Sequence, residues 1–126
     1  MKPAQLVEIC LALPQAFESF PFGEETSVFK TSGNGKVFAL SGLSARPLSV
    51  TLKCDPEDSI ALRETYAEIT PGYHMNKKHW ITLTPGPSLE EGLVTELVTE
   101  SYLLVVEKLP RAQRPVDPTL FGQRED

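Results

Sequence analysis

The feature that most constrains the fold is a succession of three short strand-like segments followed directly by a helix start. The segments are rich in β-branched and aromatic residues, are separated by turn residues, and cover 27–30, 36–40 and 48–53. They predict three consecutive antiparallel strands. The link 32–35 contains two glycines that accept positive φ and therefore predicts a hairpin, while 44–47 predicts a looser turn.

Three further segments carry helix signals. Asp55 is a favourable N-cap and Pro56 suits the first helical position, so a helix is expected directly after the third strand. Ser88 and Glu91 form a capping box ahead of an apolar stripe that continues almost to Pro110. The predicted helices cover 3–13, 56–66 and 89–109. A fourth strand is expected over 81–84, where apolar and polar residues alternate.

This order, α-β-β-β-α-β-(β)-α, predicts an α+β fold: a two-layer sandwich with an antiparallel sheet and its helices on one face. We expect one domain over 1–114 and a loose C-terminal tail over 115–126, because the tail contains two prolines and no periodicity. Leu120 and Phe121 are the tail residues that could dock. Phe20, Phe22 and Phe29 are expected to fasten the first helix to the sheet.

Charge and cysteine content narrow the functional classes. The net charge of −5 over 126 residues excludes a protein that coats nucleic acid through its overall field, so any polyanion site must be a local patch. Cys10 and Cys54 have no cysteine at metal-ligand spacing and are expected to be reduced core residues. Glu8 interrupts the N-terminal apolar stretch, and no apolar run approaches a membrane span, so we expect a soluble cytoplasmic protein.

Several stretches resemble one known family. They are Phe-Pro-Phe-Gly-Glu at 20–24, Gly-Lys-Val-Phe-Ala at 35–39, Leu-Lys-Cys-Asp-Pro-Glu at 52–57, Pro-Gly-Tyr-His-Met-Asn-Lys-Lys-His-Trp at 71–80 and Ser-Tyr-Leu-Leu-Val-Val at 101–106. The chain resembles the MmcQ/YjbR family, small bacterial proteins described as DNA-binding. The resemblance implies a fold like that of type III secretion chaperones. Val37 and Ile81 depart from the residues expected in the family.

The loop before the last strand is the main candidate site, because aromatic and cationic side chains alternate there and can stack on bases and contact phosphates. Two cations on or near the sheet, Lys53 and Arg46, are added to this set. The predicted nucleic-acid-binding residues are Arg46, Lys53, Tyr73, His74, Asn76, Lys77, Lys78, His79 and Trp80. The alternative for Trp80 is a core position, and the alternative for the lysines is a solvated loop.

Catalytic and metal-binding interpretations find little support in the sequence. Zn²⁺ requires three or four convergent ligands, and His74 and His79 have no ligand residues at suitable spacing beside them. Cys54 with either histidine is the one nucleophile and base pair that the sequence leaves open. We therefore expect no enzymatic activity, no metal and no cofactor. The alternative to nucleic-acid binding is a protein-interaction module that binds a basic partner segment or a second copy.

Overall fold

The computed structural model describes residues 1–32, 35–72, 75–86 and 89–121. Its helices are α1 (Pro3–Leu11), α2 (Pro56–Thr65) and α3 (Glu91–Val106). Its strands are β1 (Ala16–Ser19), β2 (Ser27–Thr31), β3 (Val37–Ser41), β4 (Val50–Lys53), β5 (Ile69–Pro71) and β6 (Trp80–Leu83). They form one antiparallel sheet in the order β1-β2-β3-β4-β6-β5.

The core lies between this sheet and the long helix α3. α3 packs on β2, β3 and β4 and contacts α1, while α2 packs near the edge strand β5. The residues that α3 buries are apolar with one serine: Val94, Leu97, Val98, Ser101, Tyr102, Val105 and Val106. The predicted α+β class and the antiparallel sheet are confirmed.

A bulge between Phe29 and Lys30 shapes the centre of the sheet. Phe29 pairs with Ala39, but Lys30 pairs with Val37, so Phe38 is the extra residue. A bulge lets two successive side chains turn to the same side of a strand. Phe38 and Ala39 are both fully buried. The Phe38 ring packs edge-on against the ring of Tyr102 on α3, with 5.4 Å between the ring centroids.

Two hydroxyl groups of α3 tie the helix to the chain beneath it. The Ser101 hydroxyl donates to the Phe38 carbonyl at 2.6 Å and accepts from the Lys53 amide at 2.8 Å, joining β3 and β4. The Tyr102 hydroxyl donates to the Pro14 carbonyl at 2.6 Å, just beyond α1. Burial raises the pKa of Tyr102 to about 12, so its hydroxyl stays a donor at physiological pH.

The predicted elements agree with the structure in the middle of the chain and differ at the sheet edges. β1 was not predicted, and β5 was expected only as an optional second strand between α2 and α3, without bounds. The expectation that Phe20 and Phe22 fasten α1 to the sheet is wrong, since these rings are 49% and 74% exposed, whereas Phe29 is buried as expected. The reason is the turn after β1, where Gly23 has a φ of 107°. The chain reverses there before either ring reaches the core.

Some expectations concern residues outside the described ranges. Gly33 and Asn34 of the expected hairpin are not described, and neither is Ser88 of the expected capping box. The N-cap of α3 is Glu90. In the tail, the half-buried Phe121 packs against the core with its ring 6.2 Å from Tyr102, and Leu120 is 62% exposed. None of the helices in the described ranges is long and apolar enough to cross a membrane.

Candidate nucleic-acid interface

The loop between β5 and β6 is closed at its base by backbone hydrogen bonds. The Gly72 amide donates to the Trp80 carbonyl at 2.8 Å, and the Cys54 amide donates to the His79 carbonyl at 2.7 Å. The second bond attaches the loop to the chain just after β4. The described part of the loop, 75–79, is therefore held against the sheet at its exit while its side chains are exposed to solvent.

Asn76 organises this loop. Its side-chain oxygen accepts a hydrogen bond from the Lys78 amide at 3.0 Å, and its backbone carbonyl accepts one from the His79 amide at 3.0 Å. Such a side-chain bond two residues ahead is an Asx turn, which fixes the backbone locally. We conclude that Asn76 positions Lys77 and Lys78 on an ordered turn.

Lys77 and Lys78 form one wall of a groove whose other wall is α2. The groove has a volume of about 550 Å³ and is lined by Pro56, Ile60, Arg63, Pro71, Lys77 and Lys78. The three α2 residues lie four and then three positions apart, so they share one face of the helix. The described residues that line this cationic groove include three cations and no carboxylate. Ile60, 52% exposed, adds an apolar surface between the charges.

Arg63 is the groove residue that sequence reasoning missed. Its Nε donates to the carbonyl and to the hydroxyl oxygen of Ser59, each at 3.2 Å, which holds the guanidinium at a defined position on α2. The sequence offers no specific signal for Arg63, because a single apolar residue beside an arginine is common on the surface of a helix. Only the fold shows which loop faces this side of α2.

Three other predicted site residues, Trp80, Lys53 and Arg46, are not among the residues that line the cationic groove. Trp80 is half-buried and pairs with Lys53 across β4 and β6. Lys53 lines a separate cavity on the far side of α2 and not the cationic groove. Arg46 precedes β4, whereas the loop adjoins the other end of that strand at Cys54. The Arg46 guanidinium donates to the carbonyls of Leu43 and Ala45. Tyr73 and His74 are outside the described residues.

The candidate nucleophile Cys54 is in an unfavourable environment for catalysis. Burial, together with the charges of Asp58, Glu100 and Asp55, raises the pKa of its thiol to about 11. A thiol with this pKa is protonated at neutral pH, whereas nucleophilic cysteines need a thiolate. Asp55 caps α2 by accepting from the Glu57 amide at 3.0 Å, as its position predicted. Within the described ranges, no three His, Cys, Asp or Glu residues are grouped to hold a metal ion.

The fold is thus an open six-stranded antiparallel sheet covered by helices, with a loop and a helix that enclose a cationic groove. The YjbR family model matches residues 11–104, so the chain belongs to the YjbR family. It is 42% identical over 111 residues to the uncharacterized protein YbdF of Escherichia coli O157:H7, covering 87% of this chain and 89% of the relative. It is 31% identical over 115 residues to the uncharacterized protein YjbR of Escherichia coli K12, covering 90% of this chain and 95% of the relative.

Two solved structures have the same fold. The crystal structure of Deinococcus radiodurans protein DR2400, a DUF419 domain, superposes with a TM-score of 0.86 at 38% identity, covering 99% of this chain and 96% of that one. A crystal structure of a Pseudomonas syringae protein superposes with a TM-score of 0.70 at 28% identity, covering 82% of this chain and 98% of that one. The expected family resemblance is therefore confirmed.

Proposed function

We propose that this protein is a non-enzymatic nucleic-acid-binding protein that contacts the phosphate backbone of DNA with its cationic groove. The observation that carries the proposal is the convergence of Arg63, Lys77 and Lys78 on one groove, without a carboxylate among its described lining residues. In a chain with a net charge of −5, such a concentration of positive charge is a local departure from the overall field.

The size of the groove limits the strength and kind of binding. Each cation that neutralises a phosphate contributes about 0.9 to the slope of log affinity against log salt on duplex DNA. Three cations therefore support a slope of roughly 3, which corresponds to weak binding with a smaller salt dependence than that of proteins with about six to ten phosphate contacts. Ile60 and the two prolines offer apolar surface for sugars or bases, so the groove can also accept a single strand.

The absence of a catalytic role is part of the proposal. The Cys54 thiol is protonated at neutral pH, and the Asp55 carboxylate is engaged in capping α2. A protonated thiol and an engaged carboxylate are both poor nucleophiles, which supports a binding role. We infer that the groove binds its ligand without transforming it.

The test is a titration of fluorescently labelled single- and double-stranded DNA at several salt concentrations with three proteins. They are the unmodified chain, Lys77→Ala with Lys78→Ala, and Lys108→Ala, a matched exposed lysine that does not line the groove. We expect the double variant to bind more weakly at low salt and to lower the salt slope by roughly one to two units. Lys108→Ala should leave the slope nearly unchanged. The proposal fails if the unmodified protein does not bind at low salt, or if the double variant matches it.

A further inference from the structure

A second groove runs along the opposite face of α2, between α2 and α3. It consists of two adjoining cavities with volumes of about 190 and 260 Å³, which share Asp58, Leu97 and Glu100 as lining residues. Asp58, Ala61 and Leu62 of α2 line it, at spacings that place them on the face away from Ile60 and Arg63. We call this the α2–α3 groove.

The floor of the α2–α3 groove is an apolar strip along one flank of α3, beside the face that packs on the sheet. Leu93, Leu97 and Leu104 recur at intervals of four and seven residues and line the groove, and Leu93 and Leu104 are only half-buried. Leu97 is 5% exposed and also belongs to the core, so it lies at the boundary between this strip and the buried face of α3. Pro118 of the tail lines the 190 Å³ cavity as well. Leu93 and Leu104 therefore give α3 a half-buried apolar strip beside its core face.

The walls of the α2–α3 groove carry a strong excess of negative charge. Among the described lining residues there are five carboxylates and one cation, Lys53; the carboxylates are those of Asp55, Asp58, Glu96, Glu100 and Glu107. The pKa of Glu100 is raised by burial and by the charges of Glu96 and Asp58, so these carboxylates are close enough to repel one another. A cation placed between them would relieve that repulsion.

The shape of the groove indicates what kind of ligand it fits. Its lining residues on α3 extend from Leu93 to Glu107, a distance of about 21 Å at the rise of an α-helix. This length corresponds to about four helical turns, which is longer than most small-molecule pockets require. A peptide helix with apolar residues on one side can lie in such a groove.

We propose that the α2–α3 groove binds a basic amphipathic helical segment of a partner protein. The apolar side of the segment covers the leucine floor, and its lysines or arginines pair with the carboxylates on the walls. A neutral apolar ligand would take the carboxylates out of water without compensation, and a polar cation would leave the leucines exposed. Only a ligand with both properties matches both features.

The test uses a fluorescently labelled synthetic peptide of about 14 residues with leucines at helical spacing and lysines elsewhere, long enough to span the groove. One control peptide has the same composition in scrambled order, and the other has glutamate in place of lysine. We expect the amphipathic basic peptide to bind at least about tenfold more tightly than either control. Equal affinity for the scrambled peptide would overturn the proposal, because it would mean attraction by charge alone.

Variants locate the binding on the protein. Asp58→Asn with Glu100→Gln should weaken peptide binding about three- to tenfold, since each exposed ion pair contributes modestly. Glu8→Gln with Glu64→Gln makes the same charge change at exposed residues that do not line the groove and should change the affinity little. Equal effects of the two double variants would contradict the proposed site.

Backbone amide NMR shifts of the unmodified protein with the peptide provide a measurement that needs no variant. The largest changes are expected on α3 between Leu93 and Glu107 and on α2 around Asp58. Changes confined to another part of the surface would also overturn the proposal. Because the peptide site and the cationic groove have different lining residues, failure of peptide binding leaves the DNA titration unaffected.

Discussion

Gly72 and Trp80 approach so closely that a β-carbon on Gly72 would lie 2.7 Å from the β-carbon of Trp80. The same position would also meet the Trp80 backbone carbonyl carbon at 2.9 Å. Neither atom belongs to the flexible end of a side chain, so a larger residue at 72 cannot be accommodated without moving β6. This contact connects the base of the loop between β5 and β6 to the sheet.

We therefore predict that Gly72→Ala lowers the free energy of unfolding by about 1–3 kcal/mol, the usual cost of inserting an atom into a packed site. Gly92→Ala is the matched control, because nothing lies within 4 Å of its added β-carbon. In the helix α3 that change should be neutral or stabilising. Urea unfolding of both variants checks the prediction, and equal stability of the two would contradict it.

The second prediction concerns the hydroxyl that joins α3 to β3 and β4. Ser101→Ala leaves the Phe38 carbonyl and the Lys53 amide without their partner, so we expect a loss of about 2–3 kcal/mol in the free energy of unfolding. Thr99→Ala removes a hydroxyl that donates to the Thr95 carbonyl on the same helix, and should cost less than about 1 kcal/mol. Chemical denaturation compares the two.

The third prediction concerns the tail. The composition of 115–126 predicts that its removal leaves the fold intact. Because Val116 and Phe121 pack on the core, we expect the removal to lower the free energy of unfolding. We expect the truncated protein to fold with a thermal midpoint lowered by several degrees, as loss of about 1–2 kcal/mol implies. Phe121→Ala alone should account for most of the change, and Leu120→Ala for little. A truncated protein that fails to fold would contradict this prediction.

The fourth prediction is a dependence of stability on alkaline pH. Burial raises the pKa of Cys10 to about 12, and burial with nearby carboxylates raises that of Cys54 to about 11, against an ordinary value of 9.0. The folded state therefore holds these protons more tightly than the unfolded state. The stability that they contribute is complete below pH 9 and is lost as the pH rises toward about 11 for Cys54 and about 12 for Cys10.

Urea unfolding at pH 8, 9.5 and 10.5 measures this loss. The Cys54→Ala variant should lose less stability over this range than the unmodified protein, because one of the two thiols is gone. Identical pH profiles would show that Cys54 ionises as easily in the folded chain as in the unfolded one.

The central elements could be predicted because their signals are local. Asp55 and Pro56 define the start of α2 within a few residues, and the spacing of apolar residues defines α3. β1 and β5 could not be predicted in the same way, since strands of four and three residues have too little pattern and are stabilised by pairing with β2 and β6.

The candidate site likewise contains residues that local sequence identifies and residues that only the fold brings together. Lys77 and Lys78 were identified because they adjoin aromatic residues in one loop. Arg63 lies fourteen positions earlier and joins them only because α2 and β5 pack together. Arg46 was included because it is close to β4 in sequence. Arg46 precedes β4, however, and the loop is attached just after β4, so the length of that strand lies between them.

The position of α2 between two grooves of opposite charge has a consequence for how the two proposed ligands would influence each other. A helix is only about 10 Å across, which is comparable to the Debye length at physiological ionic strength. A basic segment that neutralises Asp58 and Glu100 would make the electrostatic potential at Arg63 more positive and would thereby strengthen attraction for phosphates. By thermodynamic linkage, DNA would strengthen binding of the segment by the same factor. The two ligands would act as positive heterotropic effectors of each other, most strongly at low salt, without any change in the shape of the fold.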